Sequence, residues 1–233
     1  KIIFLKKKNI LKKVNLNKFK GGQNFFIHSA QFYIKKINNF LIDKKIVNDN
    51  LFFGIQLLEE FNKSFFDKIL TIQSCLEFDK NNNNNLYAYS KTLFAKFCSL
   101  NYNNHIKVYL YDTFGVNDNR NKIIDFWIKK FLKNEDVPLF CDKTIINITN
   151  AEIIAKALLQ VKNIAPKSYI FHGNVNITLG ELALLLKKLT KSDSKIVNLK
   201  NNKQKPIFKY ENLADKLSLE YNENQFQNDL RKL

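Results

Sequence analysis

Apolar runs of strand length alternate with helical patterns along most of this chain, and no other feature narrows its fold as much. Lys1-Ile-Ile-Phe-Leu5 reads as a short buried strand, and Asn24-Phe-Phe-Ile-His28 as another, set off by the turn pair Gly21-Gly22. Residues 46 to 62 carry apolar positions at helical spacing. Lys68-Ile-Leu-Thr-Ile-Gln73 is a third strand, Tyr87 to Leu100 a helix, and His105 to Tyr111 contains a fourth strand. Asp125 to Leu132 and Ala151 to Val161 read as helices, and Tyr169-Ile-Phe171 as a late strand. Thr178-Leu-Gly-Glu181 is a capping box that opens the apolar helix Leu182 to Leu189. The tail after Lys191 is polar and weakly patterned, with a break at Pro206. This alternation predicts βαβ units and a parallel sheet covered on both faces, an α/β fold. The expected layout is a sheet domain over residues 1–112 with part of 140–165, and a smaller C-terminal lobe from the rest of 113–233.

Composition excludes several classes. A hydrophobic fraction of 45% and an aromatic content of 13% suit a globular core and not a wholly disordered chain. No stretch approaches the roughly 18 consecutive apolar residues of a membrane span, so no membrane partner is expected. Lys1 to Lys13 is basic and apolar, but lacks the continuous apolar core and cleavage site of a signal peptide. Cys75, Cys98 and Cys141 are widely spaced and odd in number, which suits reduced thiols in the cytoplasm better than disulfides or a zinc site. The net charge of +17 raises nucleic acid as a partner. However, the charge is nearly all Lys, with Arg only at 120 and 231, and Asn recurs throughout, including Asn81 to Asn85. Arg is the residue best suited to bidentate phosphate and base recognition. The balance therefore reads as a chain-wide bias, with no nucleic-acid partner, and an anionic small substrate fits it as well.

In open parallel sheets, ligands bind at the carboxyl ends of the strands. Three strand ends here hold polar residues: His28-Ser29-Ala30, Ser74 after Gln73, and Asp112 after Tyr111. The helix after Ser74 opens with Leu86-Tyr87-Ala88-Tyr89-Ser90-Lys91, and the four-residue spacing puts Tyr87 and Lys91 on one face. A free Tyr, with a pKa near 10, exchanges protons poorly at neutral pH. A neighbouring ammonium favours its phenolate, and a Ser hydroxyl can hold the reacting oxygen, so the trio suits carbonyl chemistry beside a hydride carrier. With 9 Tyr in a Lys-rich chain, roughly one Tyr-x-x-x-Lys arises by chance, so the pair gains weight only from its surroundings.

Those surroundings resemble the extended short-chain dehydrogenase/reductase family of nucleotide-sugar epimerases, dehydratases and reductases. His28-Ser-Ala30 is similar to the family's H-x-A, and Asn50-Leu-Phe-Phe-Gly-Ile-Gln-Leu-Leu-Glu59 to its N-v-x-G-T-x-n-L-L-e helix. Ser74-Cys-Leu-Glu-Phe78-Asp79 resembles S-x-x-V-Y-G with Phe for Tyr and Asp for Gly, and Tyr87-Ala-Tyr-Ser-Lys91 matches Y-x-x-S-K. Asp112-Thr-Phe-Gly115 resembles N-v-Y-G, and Ile148-Thr-Asn-Ala-Glu152 the V-d-D-v-a segment with Asn150 in the Asp position. The matches run in family order from about residue 1 to 190. Residues 87–94 and 111–122 look most like reductases and epimerases of nucleotide-linked deoxysugars, the CDP-abequose synthase type. Cys75-Leu76 follow Ser74, where the 4,6-dehydratases carry Asp-Glu, so elimination of water is not expected.

The resemblance implies a Rossmann-like cofactor domain, a C-terminal substrate lobe, and NAD(P)-dependent reduction or epimerisation at a sugar carbon, expected at C4 of a nucleotide-diphosphate sugar. Ser74 would orient the substrate oxygen, Tyr87 act as acid and base, and Lys91 lower the pKa of Tyr87 and hold the nicotinamide ribose. His28, Ser29, Ala30 and Asn50 would line the cofactor cleft. Asp112 and Arg120 would touch substrate, Arg120 because a lone Arg suits a diphosphate. Lys6-Lys7-Lys8 at the end of the second family strand favours NADP over NAD. A homodimer stays open as an assembly. The family's G-x-x-G-x-x-G loop is absent, since the six glycines (21, 22, 54, 115, 173, 180) do not form it. With no methionine and Lys at position 1, the expectation is a first strand and loop preceding residue 1. The rival is a degenerate, non-catalytic relative serving as a binding or subunit protein.

Overall fold

The computed structural model describes residues 23–29, 32, 40–78, 85–116, 118, 122–173, 175–199 and 210–233. The expected strand Lys1–Leu5 lies outside them, as do Lys6, Ala30, Arg120 and Pro206. The chain forms two units, Lys1–Tyr109 with Ala165–Ser168, and Leu110–Ile164 with Tyr169–Leu233.

In the first unit, β1 (Phe25–His28) runs parallel to β2 (Lys68–Ser74), with Phe25 opposite Lys68 and His28 opposite Thr71. β3 (His105–Leu110) lies on the other side of β2. Ile69 through Gln73 of β2 are all buried, the signature of a strand covered on both faces. The helical pattern read over 46–62 extends further back. It comprises α1 (Phe40–Val47), a π turn (Asn48–Phe52) and α2 (Phe53–Glu59) in one continuous run. The π turn widens the ladder by one residue, the Phe53 N–H reaching the Asn48 carbonyl. α3 (Leu86–Asn101) follows β2 and packs against it.

The core of this unit is aromatic. Phe26, Phe53, Phe66 and Phe94 pack with Leu57, Leu58, Ile69 and Cys98, and Phe26 and Phe66 meet with ring centroids 5.4 Å apart. Each fully buried side chain of this size contributes about 1.5–3 kcal/mol. Position 54 must be glycine for this packing: a Cβ there would sit 2.5 Å from the Phe94 ring and 2.9 Å from His28 Nε2. Burial pushes the Cys98 thiol up to about 12, which makes it an inert packing group.

The second unit holds β4 (Asp112–Phe114), α4 (Ile123–Leu132), β5 (Val137–Phe140), β6 (Ile145–Asn150), α5 (Ala151–Leu158) and β7 (Ser168–Phe171). It continues with β8 (Asn176–Thr178), α6 (Leu179–Thr190), β9 (Ile196–Leu199), β10 (Glu211–Asn212), α7 (Leu213–Lys216) and α8 (Glu223–Leu230). β4 pairs with β6, β5 with β9 and β7 with β10, all parallel, while β6 and β8 are antiparallel. The core surrounds Trp127, whose indole N–H donates to the Pro138 carbonyl at 3.1 Å. The capping box at the start of α6 forms in both directions, between Thr178 and Glu181. In the tail after Lys191, the described residues 192–199 and 210–233 hold regular elements that the polar pattern does not predict. α8 buries Phe226 and Leu230 and opens on its own capping box, Asn222 with Gln225. Among the described residues no helix is long and apolar enough to cross a membrane.

Candidate active site

α3 starts at Asn85, whose side chain accepts from the Ala88 N–H at 3.2 Å. Its buried face comprises Tyr87, Ala88, Ser90, Lys91, Phe94, Ala95 and Cys98, the spacing of an amphipathic helix. Lys91 thus occupies a slot that the pattern assigns to an apolar residue, and it is only 4% exposed. Its Nζ lies 5.5 Å from the centroid of the Tyr87 ring, within range of a cation–π contact. Burial lowers the Lys91 pKa from 10.5 to about 8, and the charge of Glu77 pulls it back upward. At pH 7 the ammonium is still mostly protonated. Tyr87 is buried, whereas Tyr89, two residues on, is 51% exposed.

Ser74 ends β2, half-buried, and its Oγ accepts from the Leu76 N–H at 3.2 Å. The turn after it, Cys75–Phe78, packs on α3. Glu77 closes this turn: Oε1 accepts from the Ser74 N–H at 2.7 Å and Oε2 from the Thr92 hydroxyl at 2.7 Å. Burial raises the Glu77 pKa, against the Ser74 and Thr92 hydrogen bonds and the charges of Lys91 and Lys107.

His28 is buried at the end of β1, its ring 4.3 Å from that of Phe94. Among the described residues its Nε2 has no hydrogen-bond partner, and it faces Gly54. Burial first, and the Lys91 charge second, push its pKa down to about 3, so the ring is neutral at physiological pH. Asn50, 1% exposed in the π turn, spends its amide on the chain. Its Oδ1 accepts from the Phe32 N–H at 2.7 Å, and its Nδ2 donates to the Phe32 carbonyl at 3.1 Å and to Ser90 Oγ at 3.3 Å. Ser90 in turn donates to the Tyr87 carbonyl at 2.9 Å. Asn50 therefore ties the segment after β1 to the turn of α3 that carries Tyr87 and Lys91.

Ser74, Tyr87, Lys91, His28 and Asn50 all belong to the first unit, and Ser29 lies exposed just after β1. Asp112 opens β4 in the second unit, half-buried and opposite Ile148. Arg120, Ala30 and Lys6 fall outside the described residues. Sequence reasoning missed Glu77, Thr92 and Ser90. The one available signal was Glu77 itself, a carboxylate where the S-x-x-V-Y-G pattern has Val. Chemically, a phenol and a buried ammonium one helical turn apart, with a strand-end hydroxyl in the same unit, can exchange a proton at a substrate oxygen.

The two units make an α/β fold of Rossmann type with mostly parallel sheet pairing. That fold is shared with solved nucleotide-sugar enzymes. One is UDP-N-acetylglucosamine 4-epimerase from Methanobrevibacter ruminantium in complex with UDP-N-acetylmuramic acid, at 17% identity and TM-score 0.73, covering 96% of this chain and 79% of that one. UDP-glucuronic acid 4-epimerase from Bacillus cereus in complex with NAD is similar at 15% identity and TM-score 0.73, over 95% and 76% of the two chains. dTDP-4-dehydrorhamnose reductase from Bacillus anthracis in complex with NADP is similar at 14% identity and TM-score 0.69, over 90% and 78%. No family model matches the sequence, and no curated protein matches it.

Proposed function

We propose that this chain is an NAD(P)-dependent member of the extended short-chain dehydrogenase/reductase family that reduces or epimerises a nucleotide-diphosphate sugar at C4, with CDP-abequose synthase-type enzymes as its nearest kind. One observation carries the reading: Lys91 is buried in the apolar stripe of α3, one turn from Tyr87 and against its ring. A desolvated ammonium costs stability, and such a cost persists where it serves a site. Solved structures of the same fold hold NAD, NADP and a UDP-sugar derivative.

The donor set fits a nicotinamide cofactor, with an ammonium for the ribose hydroxyls and a phenol for the reacting oxygen. When bound, the nicotinamide supplies or accepts the hydride. Tyr87 gives or takes the proton at the sugar oxygen. Lys91 holds the ribose and favours the ionised phenol by its charge. Ser74 orients the same oxygen. Asn50 acts indirectly, by pinning Phe32 to the Ser90 turn of α3, and His28, Ser29 and Ala30 line the cofactor cleft. Lys6 supports NADP, and Asp112 and Arg120 contact the sugar nucleotide. The division of labour proposed is cofactor binding by the sheet domain, 1–112 with part of 140–165, and substrate binding by the remainder of 113–233.

A second reading, a non-catalytic relative, is favoured by the six glycines, none of which forms a G-x-x-G-x-x-G loop. Fluorescence titration of the full chain with NADPH and NADH, followed by absorbance at the nicotinamide band with UDP-, dTDP- and CDP-sugars, separates the two. The expected result is weak nicotinamide binding by these 233 residues, and tight binding with sugar-dependent hydride transfer once a strand, Gly-rich loop and helix precede Lys1. Absence of nicotinamide binding with that segment in place overturns the enzyme reading in favour of the second.

A further inference from the structure

We infer that Glu77 is a positioning residue of this site: its carboxylate ties the Ser74 end of β2 to the Lys91 turn of α3 and is the counter-charge of the Lys91 ammonium. The inference rests on the proposed roles of Ser74 and Lys91.

The geometry is a two-armed clamp. One oxygen takes the N–H of Ser74 and the other the hydroxyl of Thr92, the residue after Lys91, each at 2.7 Å. A third donor comes from behind. With the Gln73 amide oriented to satisfy its neighbours, its Nε2 donates to both Glu77 oxygens at 2.9 and 3.0 Å, and its Oε1 accepts from Thr71 Oγ1 at 2.8 Å. Thr71 Oγ1 lies 2.9 Å from His105 Nε2, and His105 Nδ1 lies 3.0 Å from Ser99 Oγ. Since the Thr71 proton goes to Gln73, His105 carries its proton on Nε2 and accepts from Ser99 on Nδ1. Every dipole in this chain therefore points its positive end towards the carboxylate. The amide of Gln73 interrupts proton transfer, so the chain orients Glu77 and does not feed it protons.

The charges agree with the geometry. Lys91 on α3 and Lys107 on β3 are the cations that act on Glu77, and both favour its ionised form. On β1 the titratable group that feels the Lys91 charge is His28, which is neutral. A carboxylate three residues past Ser74, in a slot that is Val in the pattern, has no packing advantage to explain it. Its partners explain it: one end of the clamp is Ser74, the other is the turn that carries Lys91.

The test reads the lysine directly, in the full chain without cofactor. Carbon-13-labelled lysine gives a titration by NMR, with the Lys91 signal assigned from its loss in Lys91→Arg. In Glu77→Gln the Lys91 midpoint should fall from about 8 by about one pH unit, a tenfold change in proton affinity. An unmoved midpoint overturns the inference. If Glu77→Gln does not fold, the reciprocal measurement decides: Lys91→Met should raise the Glu77 midpoint, followed with labelled glutamate, by the same amount, and no shift overturns it. In turnover, Glu77→Gln should lower kcat about tenfold with KM little changed, and should move the basic limb to lower pH because Lys91 loses its proton sooner. Glu77→Asp should restore part of the loss. A uniform loss of kcat with the limb unmoved marks a merely structural residue and overturns the inference. A wild-type chain without turnover, the Gly-rich segment in place, defeats the enzyme reading alone, and the NMR midpoints then decide on Glu77.

Discussion

Lys91→Met removes a buried ammonium and keeps an apolar stem of similar length, so it isolates the cost of the charge. A base with a folded-state pKa of about 8 against an ordinary 10.5 destabilises the folded chain at pH 7 by about 3 kcal/mol. The unfolded chain binds the extra proton between those two values, so stability rises with pH from 8 to 10.5 and the penalty vanishes above. Met removes the penalty but also takes away the cation that steadies Glu77. The expected net gain at pH 7 is therefore about 2 kcal/mol, or a rise in Tm of roughly 4–8 °C for a chain of this size. At pH 10 the gain should shrink below about 1 kcal/mol. Urea unfolding of both chains at the two pH values, with calorimetry at pH 7, measures it. Greater stability with loss of turnover is the pattern of a residue kept for function. A variant less stable than wild type at pH 7, or equally more stable at both, refutes the reasoning.

Tyr87→Phe keeps the ring but removes the proton donor, so steady-state kinetics should show kcat lowered roughly 10²–10⁴-fold with KM little changed. Tyr89→Phe, on the exposed face, should be nearly silent, and the reverse outcome would mean that the register is wrong. Gly54→Ala drives a Cβ into the Phe94 ring and should cost about 1–3 kcal/mol, seen as a lowered Tm; an unchanged Tm would show that the aromatic core yields freely. His28 and His105 are held neutral by burial, with pKa values of about 3 and about 4. The unfolded chain takes up their protons first, so together they should remove about 4 kcal/mol of stability between pH 7 and pH 5. Urea midpoints that stay level over that range would contradict the burial of both rings. Replacing Lys6, Lys7 and Lys8 by Ala should shrink any preference for NADPH over NADH about tenfold or more, since charge-assisted phosphate contacts are worth about 1.5–3 kcal/mol; an unchanged ratio would make the run a solvated segment.

What the sequence discloses, and what it withholds, follows from how far apart the interacting residues lie. β2 and α3 are legible because their burial repeats along the chain: Ile69 to Gln73 as an unbroken run, and 87, 88, 91, 94, 95 and 98 at helical spacing. The capping box at Thr178 is legible because both partners sit within four residues. α8 is not, since only Phe226 and Leu230 mark its apolar face and the segments they pack on are distant in sequence. The site divides in the same way. Tyr87 and Lys91 can be paired by counting four residues along a helix. Asn50 can be noticed as a polar residue in an apolar stretch, but its purpose depends on Phe32 and Ser90, 18 and 40 residues away. Glu77 depends on Thr92, 15 residues on, and on a hydrogen-bonded chain reaching His105. Yet the four share one local mark. His28, Asn50 and Lys91 each put a polar or charged group where the strand or helix pattern calls for an apolar one, and Glu77 stands where the S-x-x-V-Y-G segment has Val. Each such conflict carries a desolvation cost that hydrogen bonds or an opposite charge must offset. Three of them are offset by partners, and His28 Nε2 is the one left without any among the described residues. Conflicts between a residue and its local pattern are therefore the part of this site that a single sequence does expose. The partners that resolve them come into view only when the fold brings distant segments together.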